Sequence, residues 1–113
     1  MQALLDLPSA QSCRLLSFEN AHIVSGFVNG TYQVVVSGNA PCFNMDVQLL
    51  PRIHIRRPEW WAIEVVGCLP GVCLTAVRPY MESLPLQGLW GTLGIEVIGA
   101  TGTRRFEKPA DVP

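Results

Sequence analysis

The sequence predicts an all-β protein, built as a small antiparallel barrel or a sandwich of about seven short strands. Segments rich in β-branched residues recur along the chain, and clusters of Gly, Pro and Asn separate them roughly every eight to twelve residues. No segment shows an amphipathic helical period of useful length. One strand-like sequence also returns, because Ile-Glu-Val-Val-Gly at 63–67 is followed by Ile-Glu-Val-Ile-Gly at 95–99, which makes the chain a candidate pseudo-repeat.

The composition favours one domain with a surplus of apolar surface. A chain of 113 residues is long enough for one core and too short for two. Charged residues make up 15% and apolar residues 49%, so few polar side chains are available to cover the fold, and some apolar surface should stay exposed in a monomer. We expect the domain at residues 1–100, beginning with a short N-terminal arm, and a flexible tail rich in charge and proline at 101–113.

The distribution of charged and apolar residues limits where the protein can be located and which partners it can bind. The first residues carry Asp6 and no basic group, unlike a secretory leader, so a cytoplasmic protein is predicted. No apolar run reaches the roughly 20 residues that a membrane helix needs. The net charge is −1, and six of the eight basic residues gather in two short groups, near Arg52 and near Arg104. Neither a nucleic-acid partner nor a membrane is therefore expected.

The four cysteines are expected to be free thiols. They are Cys13, Cys42, Cys68 and Cys73, and no two of them form the Cys-x2-Cys pair typical of a zinc site. Disulfides do not persist in a reducing cytoplasm, and free cysteine is usually a small buried residue. We therefore expect no disulfide, no metal and no other cofactor.

The first half of the chain is expected to form a strand, a hairpin and a further strand. The first strand is predicted at 13–18, and the hairpin turns at Asn29-Gly30, since this pair tolerates the positive φ values of a type I′ turn. Apolar residues that alternate with polar ones at 43–49 predict a half-buried strand. Counting outward from the turn pairs Phe27 with Tyr32, and it gives the hairpin a core face of Ile23, Phe27, Tyr32, Val34 and Val36.

The second half is organised around a strand at 60–67, whose two faces both carry large apolar side chains. Trp61, Ile63 and Val65 alternate toward the core, and this alternation turns Trp60 outward. Further strands are expected at 53–56, 72–77, 81–86 and 94–99. The strand at 81–86 should lie at a sheet edge, because Pro85 cannot donate a main-chain hydrogen bond.

Two glutamates and two histidines are the candidates for acid–base chemistry. Glu64 and Glu96 occupy equivalent places in the repeat, and two facing carboxylates would have separated pKa values. Strand alternation instead turns both toward solvent. His22 and His54 lie on faces expected to be exposed, and the sequence contains no nucleophile elbow, phosphate loop or metal-binding pair. An enzyme is therefore the least favoured interpretation.

These features favour a non-catalytic domain that works through an apolar surface, most simply as a homodimer or a protein-binding module. The outward-facing Trp60 is expected to lie at or near the interface. One alternative is a small-molecule-binding barrel with an aromatic-lined cavity. A second alternative is an enzyme that uses Glu64, Glu96 or His54. The candidate ligand or interface residues are Trp60, Trp61, Tyr80, Trp90, Arg52, His54 and Arg56.

Overall fold

The computed structural model describes residues 12–113 and confirms the all-β class. No α-helix occurs in this range, and the predicted N-terminal arm before residue 12 lies outside it. Two sheets, of five and three strands, are present, and they do not close into a barrel. The strands are β1 (Ser12–Leu15), β2 (Asn20–Ser25), β3 (Tyr32–Ala40), β4 (Asp46–Pro51), β5 (Trp60–Leu69), β6 (Arg78–Pro85), β7 (Gly94–Ile98) and β8 (Thr103–Glu107).

β5 is the centre of the five-stranded sheet, because three strands pair with it. β4 runs antiparallel along one edge, opposite residues 63–68. The other edge is shared, since β7 pairs with residues 60–64 and β1 pairs with residues 66–69. β1 and β7 meet beside Val65, whose carbonyl oxygen accepts a bond from the backbone N–H of Leu16 at 2.9 Å. β8 extends the sheet beyond β7.

The two similar segments of the sequence are neighbours in the sheet, but they run parallel. Ile63 lies opposite Val97 and Glu64 lies opposite Ile98. The expectation of a purely antiparallel fold is therefore wrong at this pair. A parallel pair needs a crossover connection, and here the chain leaves the sheet through β6, which belongs to the three-stranded sheet. Glu64 corresponds to Glu96 in the repeat, but in the sheet Ala62 lies opposite Glu96, two residues away from that correspondence. Glu64 and Glu96 are therefore diagonal neighbours on one face of the sheet.

β2 and β3 form the predicted hairpin, with a register two residues away from the predicted one. Ser25 pairs with Tyr32, and the backbone N–H of Gly26 donates to Thr31 O at 2.8 Å. Phe27 therefore leaves the strand and is fully exposed, although the sequence analysis placed it in the core. A shift of two residues keeps every remaining side chain on its face. The side chains that still face the core are Ile23, Tyr32, Val34 and Val36.

A single cluster of buried side chains draws on both sheets. Ile63 and Val65 of β5, together with Val34 and Val36 of β3, are completely buried. Burial of one such side chain stabilises the fold by roughly 1.5–3 kcal/mol. β4 contacts β6, so the two sheets approach each other most closely on that side. This shared core fixes the strand ends, and the loops at those ends form the candidate sites.

Two of the predicted strands are loops. β4 ends at Pro51, and its antiparallel register would carry residues 55–56 past the start of β5. Ile55 is consequently fully exposed, and Ile53, which lies beyond the last paired residue of β4, is exposed as well. The segment 72–77 likewise connects β5 to β6 without pairing. Alternation alone does not make a strand where no neighbouring strand is available to pair with it.

Residues 101–113 belong to the fold, and the expected flexible tail is not what this segment forms. Thr103–Glu107 is β8, and Val112 is buried in the shared core. Phe106 lies opposite Ile95 and packs against the same core. The segment contains few apolar residues, and its pairing with β7 uses main-chain groups that every residue except proline provides. The composition of the segment therefore did not reveal the strand.

The expectation of four free thiols is also wrong, because all four cysteines form disulfides. Cys13 and Cys68 lie directly opposite each other in the β1–β5 pair, with their Cα atoms 4.1 Å apart. Cys42 and Cys73 join the β3–β4 loop to the β5–β6 loop, with Cα atoms 5.3 Å apart. Strand register and loop proximity create both pairs, and neither is visible in the spacing of the cysteines along the chain.

Both disulfides should contribute substantially to stability. They bridge residues separated by 55 and 31 positions, for which the chain-entropy relation gives about 4 kcal/mol each. Replacing Cys42 and Cys73 together by Ser should lower the free energy of unfolding by about that amount in urea denaturation. Non-reducing peptide mapping of protein refolded under oxidising conditions should recover both bonds. Four thiols open to alkylation in that material would contradict the pairing.

The hairpin turn should depend on Gly30. Its φ is 81°, and Thr31 N donates to Val28 O across the turn at 3.1 Å. Gly30→Val should lower the free energy of unfolding by roughly 1–3 kcal/mol, because a β-branched residue is strained in this conformation. Gly102→Val is the matched control, since its backbone is not left-handed and a Cβ there meets no atom within 4 Å. Equal melting temperatures for the two variants would refute the role of Gly30.

Candidate functional site

A cleft of about 490 Å³ opens at one end of the molecule, where the β4–β5 and β6–β7 loops meet the C-terminal segment. Two tryptophans form part of its wall, and we call it the aromatic cleft. A cavity of this size lies in the range of small-molecule sites. The residues that line it are Gly30, Arg57, Trp61, Gln87, Gly88, Trp90, Val112 and Pro113.

The two tryptophans reach the cleft from different elements. Trp61 is the second residue of β5 and lies on the inner face, and its indole Nε1–H donates to Arg52 O at 3.0 Å. The His54 ring meets Trp61 edge-on, with the ring centroids 5.3 Å apart. Trp90 lies in the β6–β7 loop, is almost fully buried, and makes a similar edge contact with Tyr32 at 6.1 Å. Both rings are thus held in fixed orientations.

Backbone contacts hold the β4–β5 loop and the β6–β7 loop together beside the cleft. The N–H groups of Thr92 and Leu93 donate to Pro58 O and Glu59 O at 2.9 and 2.8 Å. Gly91 lies so close to the backbone of Glu59 that no Cβ would fit there. Glycine at position 91 is therefore required for the two loops to pack together.

Arg57 joins three parts of the chain at the cleft. Its Nε donates to Trp90 O at 2.9 Å, and its Nη2 donates to Gly91 O at 3.3 Å and to Pro113 O at 3.1 Å. These bonds connect the β4–β5 loop to the β6–β7 loop and to the end of the chain. Arg57 is the one charged side chain among the described residues that line the cleft.

The C-terminal segment is tied to the hairpin by polar contacts. The Tyr32 hydroxyl donates to Asp111 Oδ1 at 2.8 Å, and Lys108 Nζ donates to Val112 O at 2.8 Å. The pKa of Tyr32 is raised, first by this hydrogen bond and also by burial and by the negative charge of Asp111. The proton needed for this bond is thus held more firmly in the folded state, so the contact is fully present below the ordinary pKa of tyrosine and is lost only as the pH rises through the raised pKa.

The lining of the aromatic cleft suits binding more than proton transfer. Its described residues include no Asp, Glu, His, Ser or Cys side chain that could act as acid, base or nucleophile. His54 contacts Trp61 but does not line the cleft, and its Nε2 atom is buried with no hydrogen-bond partner in the described range. No group of three or more potential metal ligands occurs between residues 12 and 113.

Trp60 lies on the opposite face of the sheet from this cleft. The Arg105 guanidinium covers its ring at 4.8 Å from the centroid and donates through Nε to Glu96 at 3.1 Å. Glu64 on the same face accepts two bonds from Arg52, at 2.9 and 3.1 Å. The two glutamates thus each pair with a separate arginine, and the apolar strip around Trp60 is partly covered from within the chain.

The remaining predicted site residues lie elsewhere. Tyr80 belongs to the core, where its hydroxyl donates to Ser17 O at 2.8 Å, and burial followed by the charge of Glu19 raises its pKa. Arg56 is exposed beside Arg57 and does not line the cleft. Of the seven predicted residues, two line the cleft and two adjoin one of its tryptophans, and these four are Trp61, Trp90, Arg52 and His54.

A second candidate surface, at the other end of the molecule, was missed by the sequence analysis. The Cys42–Cys73 disulfide holds two loops together, and Asn44 adds bonds to Val72 O at 2.9 Å and from Leu74 N at 3.0 Å. No charged residue occurs at 41–45 or 70–77. We call the four exposed apolar side chains on these loops the stapled patch: Phe43, Val72, Leu74 and Val77. The absence of charge was the only signal in the sequence.

Comparisons with known proteins do not assign this chain to a family. No family model, curated protein or solved structure matches this chain. Within residues 12–113 there is also no helix that could cross a membrane.

The stapled patch should lose rigidity without Asn44. Asn44→Ala removes two hydrogen bonds between the loops, and we expect a loss of about 1–3 kcal/mol in the free energy of unfolding. Amide exchange at Leu74 should accelerate, because its N–H loses the Asn44 side-chain acceptor. Gln48→Ala is the control, since that side chain bonds only to the exposed Asp46. Unchanged exchange at Leu74 would show that the disulfide and the backbone bond from Phe43 N to Leu74 O hold the loops without Asn44.

Proposed function

We propose that this protein is a non-catalytic β-sandwich that binds a protein surface, most simply a second copy of itself, through the stapled patch. The observation that carries this proposal is the set of four large apolar side chains, each more than half exposed, on two loops joined by a disulfide. The core shared by the two sheets supports a sandwich more than a barrel.

The physical argument rests on exposure, neutrality and rigidity. Apolar surface that is grouped in one place on a monomer is characteristic of an interaction site. The loops of the stapled patch carry no charge, so two copies can meet there without repulsion or the desolvation of ions. The disulfide and the Asn44 bonds order these loops before binding, which reduces the entropy lost on association.

The stapled patch is better suited to an interface than the strip around Trp60. Arg105 already covers Trp60, and Ala62 and Val66 on the same face are buried within the chain. Val72 and Val77, by contrast, remain 83% and 69% exposed. The covering of apolar surface contributes about 25 cal/mol per Å², so the exposed patch has more to gain from a partner.

Sedimentation velocity of three proteins tests the proposal. Wild type should sediment as a dimer at micromolar concentration, and Leu74→Glu should sediment as a monomer with an unchanged melting temperature, because it places a charge in the interface. Trp60→Glu is the matched comparison on the other apolar surface, and it should remain a dimer. A monomeric wild type would exclude self-association. Dissociation by Trp60→Glu alone would transfer the interface to the outer face of the five-stranded sheet.

The two disulfides support an oxidising compartment as the place where this protein works, since such bonds do not persist in a reducing cytoplasm. This proposal replaces the cytoplasmic location that the first residues of the sequence suggested.

A second candidate function is the binding of a small molecule in the aromatic cleft. The meeting of Trp61 and Trp90 at a cleft of about 490 Å³ supports it. Catalysis by Glu64, Glu96 or His54 has less support. The two glutamates pair with arginines on the far face of the sheet, and His54 does not line the cleft.

A further inference from the structure

We propose that Asn29 is an acceptor for an N-linked glycan, and that the first sugar of this glycan lies in a groove beside Phe27 at the tip of the β2–β3 hairpin. Asn29-Gly30-Thr31 is the acceptor sequence Asn-x-Thr, with a residue other than proline in the middle. The inference rests on the oxidising compartment proposed above, because this sequence is glycosylated in proteins that enter the secretory pathway.

Asn29 is the one asparagine of the chain that stands in this sequence context. The other three, Asn20, Asn39 and Asn44, have no Ser or Thr two residues later. Asn39 and Asn44 also donate through Nδ2 to other residues, at 3.0 and 2.9 Å, and a glycan on that atom would displace these bonds. The side chain of Asn29, by contrast, is exposed.

The hairpin tip leaves room for a large group on Asn29. Residues 28–31 form a closed turn, in which the N–H and the hydroxyl of Thr31 both donate to Val28 O. Gly30 has a φ of 81°, and it adds no side chain next to the acceptor. A glycan on Asn29 Nδ2 can therefore extend into solvent without disturbing the core.

A groove of about 410 Å³ runs beside this turn, and its lining suits a sugar. Phe27 is fully exposed, and the negative face of its ring attracts the partly positive C–H groups of a pyranose. The Ser25 hydroxyl and the Gln33 amide can bond to sugar hydroxyl groups. The described lining contains no charged side chain, as a neutral N-acetylhexosamine requires, and consists of Ser25, Gly26, Phe27, Val28, Thr31 and Gln33.

A sugar in this groove would cover apolar surface that now contacts water. Phe27 and Val28 are both exposed at the tip, and the covering of apolar surface is favourable in proportion to its area. The tip lies at the aromatic-cleft end of the molecule, because Gly30 lines that cleft. The glycan is therefore remote from the stapled patch and compatible with association there.

The attachment is a group transfer from a polyprenyl diphosphate oligosaccharide. Nδ2 of Asn29 forms a bond to the anomeric carbon of the first N-acetylhexosamine, and the bond from that carbon to the diphosphate oxygen breaks. The polyprenyl diphosphate leaves with the electron pair of the broken bond, and one proton of Nδ2 passes to a base of the transferase. The product is a neutral secondary amide, so the charge of the protein does not change.

Secretion of the full chain behind a cleavable leader from cultured mammalian cells tests the acceptor. Wild type should carry one N-linked glycan, located at Asn29 by mass spectrometry of its peptides. Asn29→Gln and Thr31→Ala should each be secreted without it, whereas Thr31→Ser should retain it, because serine restores the hydroxyl that the acceptor sequence needs. Asn39→Gln is the matched control, since Asn39 lies outside any acceptor sequence, and it should keep the glycan.

Melting temperatures test the groove. Glycosylated wild type should melt about 4 °C above Asn29→Gln, and this difference should fall below about 1 °C when both proteins also carry Phe27→Ala. Met81→Ala is the matched control, because Met81 is 70% exposed and does not line the groove, and it should leave the difference unchanged.

The outcomes separate this inference from the proposed compartment. Secreted wild type with both disulfides but no glycan would overturn the acceptor and leave the oxidising compartment in place. Free thiols in the secreted protein would refute the compartment, and the inference that rests on it would fail as well. A glycan that stabilises the Phe27→Ala protein as much as wild type would overturn the groove as the position of the first sugar.

Discussion

The main-chain pairing of β5 is the interaction on which the rest of the structure depends. β5 uses both of its edges, one for β4 and the other for β7 and β1 in succession. Its inner face places Ile63 and Val65 at the centre of the core, where they are fully buried. A slip of β5 by one residue would turn Ile63 and Val65 outward and bring Glu64 into the core. The ends of β5 then determine where the loops of the two candidate sites leave the sheet.

The two ends of the molecule are held by different chemistry. At one end the Cys42–Cys73 bond joins the loops covalently, and the apolar side chains around it face outward. At the other end Arg57 joins the loops through three backbone oxygens. A covalent link leaves the adjacent side chains free to be apolar, whereas a guanidinium brings a positive charge to the place it stabilises. This difference is why one end presents an exposed apolar surface and the other a cleft with a charged side chain in its lining.

The outer face of the five-stranded sheet shows how a chain with few charged residues uses them. Arg52 pairs with Glu64, and Arg105 pairs with Glu96 while covering the ring of Trp60. Exposed ion pairs of this type contribute little to stability, typically about 0–1 kcal/mol. Their main effect here is coverage, because the long arginine side chains lie over apolar surface that would otherwise contact water. The two glutamates therefore have a structural role, because each holds an arginine side chain over the outer face of the sheet.

The sequence alone determined the all-β class, the central strand at Trp60, the outward turn of that tryptophan and the inward faces of Val34, Val36, Ile63 and Val65. Alternation with a period of two encodes these features locally. Only the tertiary structure decided the parallel pairing of β5 with β7, the two disulfides, the strand formed by Thr103–Glu107 and the composition of the aromatic cleft. Each of these joins residues far apart in sequence through main-chain bonds or loop proximity. Such contacts depend on strand order and register, which a list of side chains does not contain. The hairpin stands between the two cases, because Asn29-Gly30 marked the turn, whereas the bond from Gly26 to Thr31 set the register and turned Phe27 into solvent.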